Sequence, residues 1–192
     1  MDLYVTTVAE RKRLAGLLAE HPEAWGADSL CAGWRVREVI AHLTMPYRYR
    51  IPAILLGIDR ARGDFNRFSN RAALRDTELL SDPELLENYA DNAESRWTPP
   101  GGGQVGALSH DVIHGLDITM PLGLPEPDPA VTGTVLSEVR PKQLKYFGVD
   151  LTGVRLEASD ADVAVGSGRA VTMSAAELLM IVTGRKAVPR VV

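Results

Sequence analysis

Cysteine is almost absent from this chain of 192 residues, with Cys31 as the single example. One cysteine excludes an internal disulfide framework and is typical of a reducing compartment. There is no run of about 18 apolar residues that would predict a membrane span. The first residues lack the basic segment followed by an apolar segment that is typical of a secretory signal. We therefore expect a cytoplasmic protein without a membrane segment.

Positive charge is not in excess, because 21 lysines and arginines face 25 acidic residues and the formal net charge is −4. A chain of this kind offers no basic surface for nucleic acid, so we expect no nucleic-acid partner. Hydrophobic residues at 45% and charged residues at 24% are ordinary for a globular protein. The length suits one well-buried core, or a main domain with a small appendage.

Histidine is also scarce, yet two of the four histidines, His110 and His114, lie four residues apart. On a helix this spacing places both imidazoles on one face, with Cβ atoms about 5–6 Å apart. Two ring nitrogens can then bind one divalent metal at about 2.0–2.1 Å each. His42, in another apolar helical segment, would supply a third ligand and leave a coordination position open, as in catalytic sites. The alternative is a pair of histidines at the helix surface or hydrogen-bonded in a core.

Asp117 strengthens the metal hypothesis, because it follows His114 by three residues and its carboxylate can accept the second ring N–H. The same stretch is similar to the zincin motif His-Glu-x-x-His, but Asp111 replaces the glutamate and no histidine follows as a third ligand. A peptidase is therefore disfavoured, and Asp111 is expected to face solvent.

Apolar periodicity and capping residues predict a mainly α protein. After Gly148 the pattern changes to short alternating segments, which predict strands followed by a last helix from Ser174. We expect a helical domain over residues 1–147 and a small α+β domain over residues 148–192. The predicted helices before it cover about 2–21, 81–97 and 104–119, with a second helix from about 35 that Pro46 should end or kink and a further helix after Asp128. Ser81 and Glu84 form a capping box at the start of the helix over 81–97.

Three stretches together resemble the DinB-like, mycothiol-dependent maleylpyruvate isomerase superfamily. They are the segment from Cys31 to Leu43 with its Gly-Trp and His-Leu pairs, the segment His110 to Asp117, and the segment Val171 to Arg185 that ends in Thr-Gly-Arg. Their order and spacing agree with the family along nearly the whole chain. The resemblance implies a DinB-like four-helix bundle with a metal site at one end and a small α+β appendage.

The resemblance also implies a ligand set and a cofactor. His42, His110 and His114 correspond to the metal ligands, and the metal would be zinc, with nickel as the alternative. Three histidines match the broader DinB-like branch, whereas the isomerase branch commonly has glutamate in place of His110. Coordination of mycothiol or a similar thiol would favour the thiolate, which would isomerise a small electrophile or be transferred to it.

Arg185 is a candidate catalytic residue, because its guanidinium could bind a substrate carboxylate with two hydrogen bonds. A cation favoured at the C-terminus of a helix is the alternative explanation. Two other functions remain open from the sequence: a non-catalytic, stress-associated metal-binding protein, and a metal-dependent hydrolase. The oligomeric state is open as well, with a homodimer among the alternatives.

Overall fold

The computed structural model describes residues 1–190 and divides into two compact units. The amino-terminal unit comprises Asp2–Trp97 with Pro121–Leu124, and the carboxy-terminal unit comprises Met1, Thr98–Met120 and the chain from Pro125 onward. About 60% of the chain is helical, and the described residues contain nine α-helices and one three-stranded sheet. These proportions confirm the predicted mainly α class with a small sheet near the C-terminus. The domain boundary at residues 147 and 148 stays a prediction.

The regular elements of the amino-terminal unit are all helices in its described residues, apart from one isolated β-bridge between Asp28 and Arg35. Helix α2 packs against α4 and α5, and α1 packs against α5. The elements in chain order are α1 (Leu3–Glu20), a 3₁₀ turn (Pro22–Gly26), α2 (Val36–Arg48), α3 (Ile51–Arg60), α4 (Phe65–Leu79) and α5 (Asp82–Asp91).

Helix α2 forms the centre of this unit because its apolar residues recur at helical spacing. Val36, Val39, Ile40 and Leu43 are all at most 1% exposed, as expected for the buried stripe of an amphipathic helix. Pro46 was expected to end or kink this helix, but α2 continues to Arg48.

Helix α5 starts as predicted and ends earlier than predicted. The backbone N–H and the hydroxyl of Ser81 both donate to the carboxylate of Glu84, so the predicted capping interaction is present. The helix stops at Asp91 rather than near Trp97. Turn hydrogen bonds replace the helical ones there, with the N–H of Ala93 bonded to the carbonyl of Ala90.

The carboxy-terminal unit contains most of α6 (Gly103–Leu122), followed by α7 (Pro129–Ser137) and α8 (Pro141–Tyr146). The sheet follows with strands β1 (Val154–Ala158), β2 (Ala164–Gly166) and β3 (Arg169–Met173), before α9 (Ala175–Val182). Strand β1 is central, antiparallel to β2 and parallel to β3. Helix α9 packs on β1 and on α7, so this unit has an apolar core of its own.

Among residues 1–190, no helix combines the length and the hydropathy that crossing a membrane requires.

Candidate metal centre

His42 lies on α2 in the amino-terminal unit and is half-buried. Its Nδ1 is 2.9 Å from the Oγ of Ser69 on α4. The Ser69 hydroxyl also lies 3.9 Å from the sulfur of Met45, to which it donates. In the tautomer with the proton on Nδ1, His42 donates to the Ser69 hydroxyl. That tautomer leaves Nε2 as the nitrogen of His42 that carries a lone pair for a metal.

The orientation of the His42 ring involves two contacts that the sequence did not predict. The Trp34 ring lies 5.4 Å from the His42 ring, centroid to centroid, and its indole N–H donates to Asn70 at 2.7 Å. Ser69 and Asn70 both belong to α4, which follows α2 by more than 15 residues. Sequence periodicity could place Ser69 on the buried side of α4, but nothing in the sequence pairs it with His42.

His110 and His114 lie on one helix, α6, as the sequence predicts. This part of α6 belongs to the carboxy-terminal unit, which the sequence did not predict. Their ring centroids are 5.1 Å apart and their planes are inclined at 81°. Both side chains are half-buried. The predicted spacing of four residues therefore does bring the two imidazoles together on one helix face.

Asp117 holds the ring of His114. The Nδ1 of His114 lies 2.9 Å from Oδ2 of Asp117, whose side chain is completely buried. An ionised carboxylate only accepts hydrogen bonds, so Nδ1 of His114 carries a proton, and in the neutral ring Nε2 carries the lone pair. The predicted contact between these two residues is therefore present.

Arg185 binds the same carboxylate. Its Nε donates to Oδ1 of Asp117 at 3.0 Å and its Nη2 donates to Oδ2 at 3.2 Å, a bidentate pair. Its Nη1 donates to the carbonyl of Thr183 at 2.9 Å. The sequence singled out Arg185 for a substrate carboxylate and missed this intramolecular partner.

The chain turns sharply where α9 ends, and this turn positions Arg185. Gly184 has φ of +75°, a conformation that favours glycine. A Cβ at this position would lie 3.0 Å from the backbone oxygen of Phe147. The N–H of Arg185 then bonds to the carbonyl of Met180 at 2.8 Å. The Thr-Gly-Arg sequence is thus a helix stop that fixes where the guanidinium points.

The environment of Asp117 favours its charged form. Burial raises the pKa of its carboxyl group, but the hydrogen bonds and charges of His114 and Arg185 outweigh burial and lower the pKa to about 2. Asp117 is therefore an anion at neutral pH, and the adjacent guanidinium balances its charge.

Asp111 is more buried than the sequence predicts, and Cys31 is partly buried. Asp111 was expected to face solvent, but it is only 4% exposed, because α6 is buried on more than one side. Cys31 is half-buried in the loop before Trp34, where its backbone N–H donates to the hydroxyl of Ser29.

His42 belongs to the amino-terminal unit, and His110 and His114 belong to the carboxy-terminal unit, so the ligand set of these three histidines stays a prediction. Asp117 already binds a guanidinium and an imidazole, which suits it better to orienting His114 than to coordinating a metal.

The family comparison agrees with the helical architecture. The family model described as the mycothiol maleylpyruvate isomerase N-terminal domain matches residues 7–106, which is just over half of the chain. This span includes His42 and ends before His110. No curated protein and no solved structure matches the chain. On this match the chain belongs to the DinB-like family of mycothiol maleylpyruvate isomerase N-terminal domains.

Proposed function

We propose that this protein binds a divalent metal ion through His42, His110 and His114 and uses a low-molecular-weight thiol to act on a small electrophile. The observation that carries the proposal is the pair of imidazoles of His110 and His114 on one face of α6, with ring centroids 5.1 Å apart. Family membership supports a thiol of the mycothiol type and a reaction of the maleylpyruvate isomerase type, either isomerisation or transfer of the sulfur.

The donor chemistry of these residues fits zinc, with nickel as the alternative. Imidazole suits both ions. In His42 and His114 the Nδ1 is already engaged, by Ser69 and Asp117 respectively, so that Nε2 is the coordinating atom. Three protein ligands around zinc leave a fourth position for an exogenous ligand, as is usual in catalytic sites.

The proposed donor set carries no net charge. Asp117 is ionised, but Arg185 pairs with it through two hydrogen bonds, so this pair adds no net charge beside His114. Three neutral imidazoles around a divalent cation would leave its full positive charge to favour the thiolate form of a bound thiol at neutral pH.

Ser69 and Asp117 are positioning residues in this proposal. Each holds one histidine ring by its Nδ1 and thereby fixes its tautomer and orientation. Removing such a partner typically costs about 10- to 100-fold in metal affinity. Arg185 in turn holds Asp117 in place, and its binding of a substrate carboxylate stays a prediction.

Cobalt-substituted protein titrated with mycothiol tests the proposal. We expect visible absorption from bound Co²⁺ and a new sulfur-to-cobalt charge-transfer band that saturates with the thiol. The same titration on His42→Ala should give neither signal. His21→Ala is the matched control, since His21 is the histidine outside the proposed ligand set and pairs with Glu23; it should behave as the wild type.

The outcome separates the proposal from its alternatives. A metal spectrum that mycothiol and smaller thiols leave unchanged contradicts the thiol-dependent enzyme and favours a hydrolase or a non-catalytic metal-binding protein. A thiol-responsive spectrum that survives His42→Ala contradicts the ligand assignment.

A further inference from the structure

The amino-terminal unit contains an open groove of about 400 Å³ at the C-terminal end of α2. Its lining is unusually rich in guanidinium groups for a surface of an acidic protein. The lining residues are Arg48, Tyr49, Arg50, Ala53, Arg75 and Asp76. All of them lie in α2, α4 or the start of α3, or in the short segment between α2 and α3.

The positive charge in this groove exceeds the negative charge. Three arginines face a single carboxylate, that of Asp76, which is 4% exposed. Arg48 binds Asp76 at 2.8 Å, and Arg75 lies 3.4 Å from the same carboxylate. One carboxylate balances one guanidinium, so the lining keeps a net charge of about +2 at neutral pH.

Arg50 differs from the other two arginines of the groove, because no described residue pairs with its charge. Among residues 1–190, its side chain makes no ion pair and no hydrogen bond, and it is exposed. Arg75 is also 59% exposed on its side chain and directs only Nη2 toward Tyr49 and Asp76. Several N–H donors of these two side chains therefore remain available to a ligand.

The remaining polar residues of the groove form an ordered framework of hydrogen bonds and cation–ring contacts. The Tyr49 hydroxyl donates to Asp76 at 2.7 Å, and the guanidinium groups of Arg48 and Arg75 lie 5.6 and 5.7 Å from the Tyr49 ring centroid. Burial, followed by the nearby Asp76, raises the pKa of Tyr49, so its hydroxyl keeps the proton that it donates. The Arg48 side chain is further tied to the carbonyl of Ala41 at 2.8 Å. Such ordering lowers the entropic cost of binding a ligand.

We propose that this groove binds an oxyanion, a carboxylate or phosphate group of a small ligand, with Arg50 and Arg75 as its main contacts. Guanidinium groups match the planar or tetrahedral oxygens of these anions and bind them with charge-assisted hydrogen bonds. Asp76 does not oppose the anion as a free charge, because Arg48 and Tyr49 already occupy both of its oxygens.

The groove is distinct from His42. Helices α2 and α4 run parallel, since His42 meets Ser69 and Tyr49 meets Asp76 at the same sequence separation of 27. Tyr49 follows His42 by seven residues, which corresponds to about 10 Å along a helix. A test of anion binding in the groove therefore does not depend on whether the protein binds the proposed metal.

Isothermal titration with inorganic phosphate and with succinate, at constant ionic strength set by NaCl, tests this site on the protein as purified. We expect saturable binding of at least one anion. Arg50→Gln and Arg75→Gln should each weaken it about three- to tenfold, less than for a buried contact because both side chains are exposed. Arg50→Lys should retain part of the affinity, since it keeps the charge.

Arg60→Gln is the matched control, because Arg60 is an exposed arginine at the opposite end of α3 and does not line the groove. It should leave the affinity unchanged. Tighter binding of phosphate would identify a phosphorylated ligand, and tighter binding of succinate a carboxylate ligand. Absence of saturable binding by either anion overturns the proposal. So does binding that Arg50→Gln and Arg75→Gln leave intact, or that Arg60→Gln weakens equally.

Discussion

Replacing Asp117 by alanine removes the shared acceptor of a guanidinium and an imidazole. The Asp117 side chain is fully buried and that of Arg185 is 15% exposed, so solvent can replace little of the lost interaction. Breaking a buried ion pair by removing one partner typically costs about 3–5 kcal/mol, because the other charge stays buried without compensation. We expect Asp117→Ala to destabilise the protein by about that amount. Asp117→Asn, which keeps an acceptor, should lose about 1.5–3 kcal/mol.

The assay is urea unfolding followed by circular dichroism, with a chelator present so that metal binding does not contribute to stability. The double variant Asp117→Ala with Arg185→Ala is the decisive sample, because it removes both charges together. It should be less destabilised than the sum of the two single variants. An exposed ion pair serves as control: Lys12 and Glu94 lie 2.6 Å apart with side chains 59% and 70% exposed, and their removal should cause no resolvable change.

Two results would refute the reasoning about Asp117. A loss below about 1 kcal/mol in Asp117→Ala would mean that the pair is not buried in solution. Additive effects of Asp117→Ala and Arg185→Ala would mean that the two side chains do not interact.

Two further predictions concern packing and charge elsewhere in the chain. In Gly57→Ala the new methyl group would overlap the Phe68 ring, so we expect a loss of about 1–3 kcal/mol in urea unfolding. Gly16→Ala, with no atom within 4 Å of the added carbon, should instead gain up to about 1 kcal/mol, and equal effects would contradict the packing argument. Burial raises the pKa of Glu38, but the hydrogen bonds from Arg35 outweigh it and hold the pKa below its ordinary value. The stability from Glu38 is therefore present above about pH 4.3 and lost as the pH falls through the lowered pKa. Glu38→Gln should destabilise the protein at pH 7, and the difference from the wild type should shrink near pH 3; a constant difference would refute this assignment.

Much of the helical architecture follows from local patterns in the sequence. The Ser81 capping interaction, the strands after Gly148 and the final helix from Ser174 depend on neighbouring residues, so they could be predicted. The continuation of α2 through Pro46 could not, because tertiary packing of its apolar stripe overrides the local preference of proline.

The contacts of the candidate site were also only partly predictable from the sequence. The contact of His114 with Asp117 was predictable, because both lie on one helix at a spacing of three residues. The partners Ser69 of His42 and Arg185 of Asp117 come from distant segments. Nothing in helical periodicity specifies such long-range pairs, so only the folded structure reveals them.

Metal content of the purified protein, measured by elemental analysis, tests the central claim most directly. We expect about one divalent ion per chain in the wild type and in His21→Ala. We expect loss of that ion in His42→Ala, His110→Ala and His114→Ala, each of which should remain folded by circular dichroism. A metal content that these three substitutions leave unchanged, or a wild-type protein that takes up no metal on reconstitution, would contradict the proposed metal site.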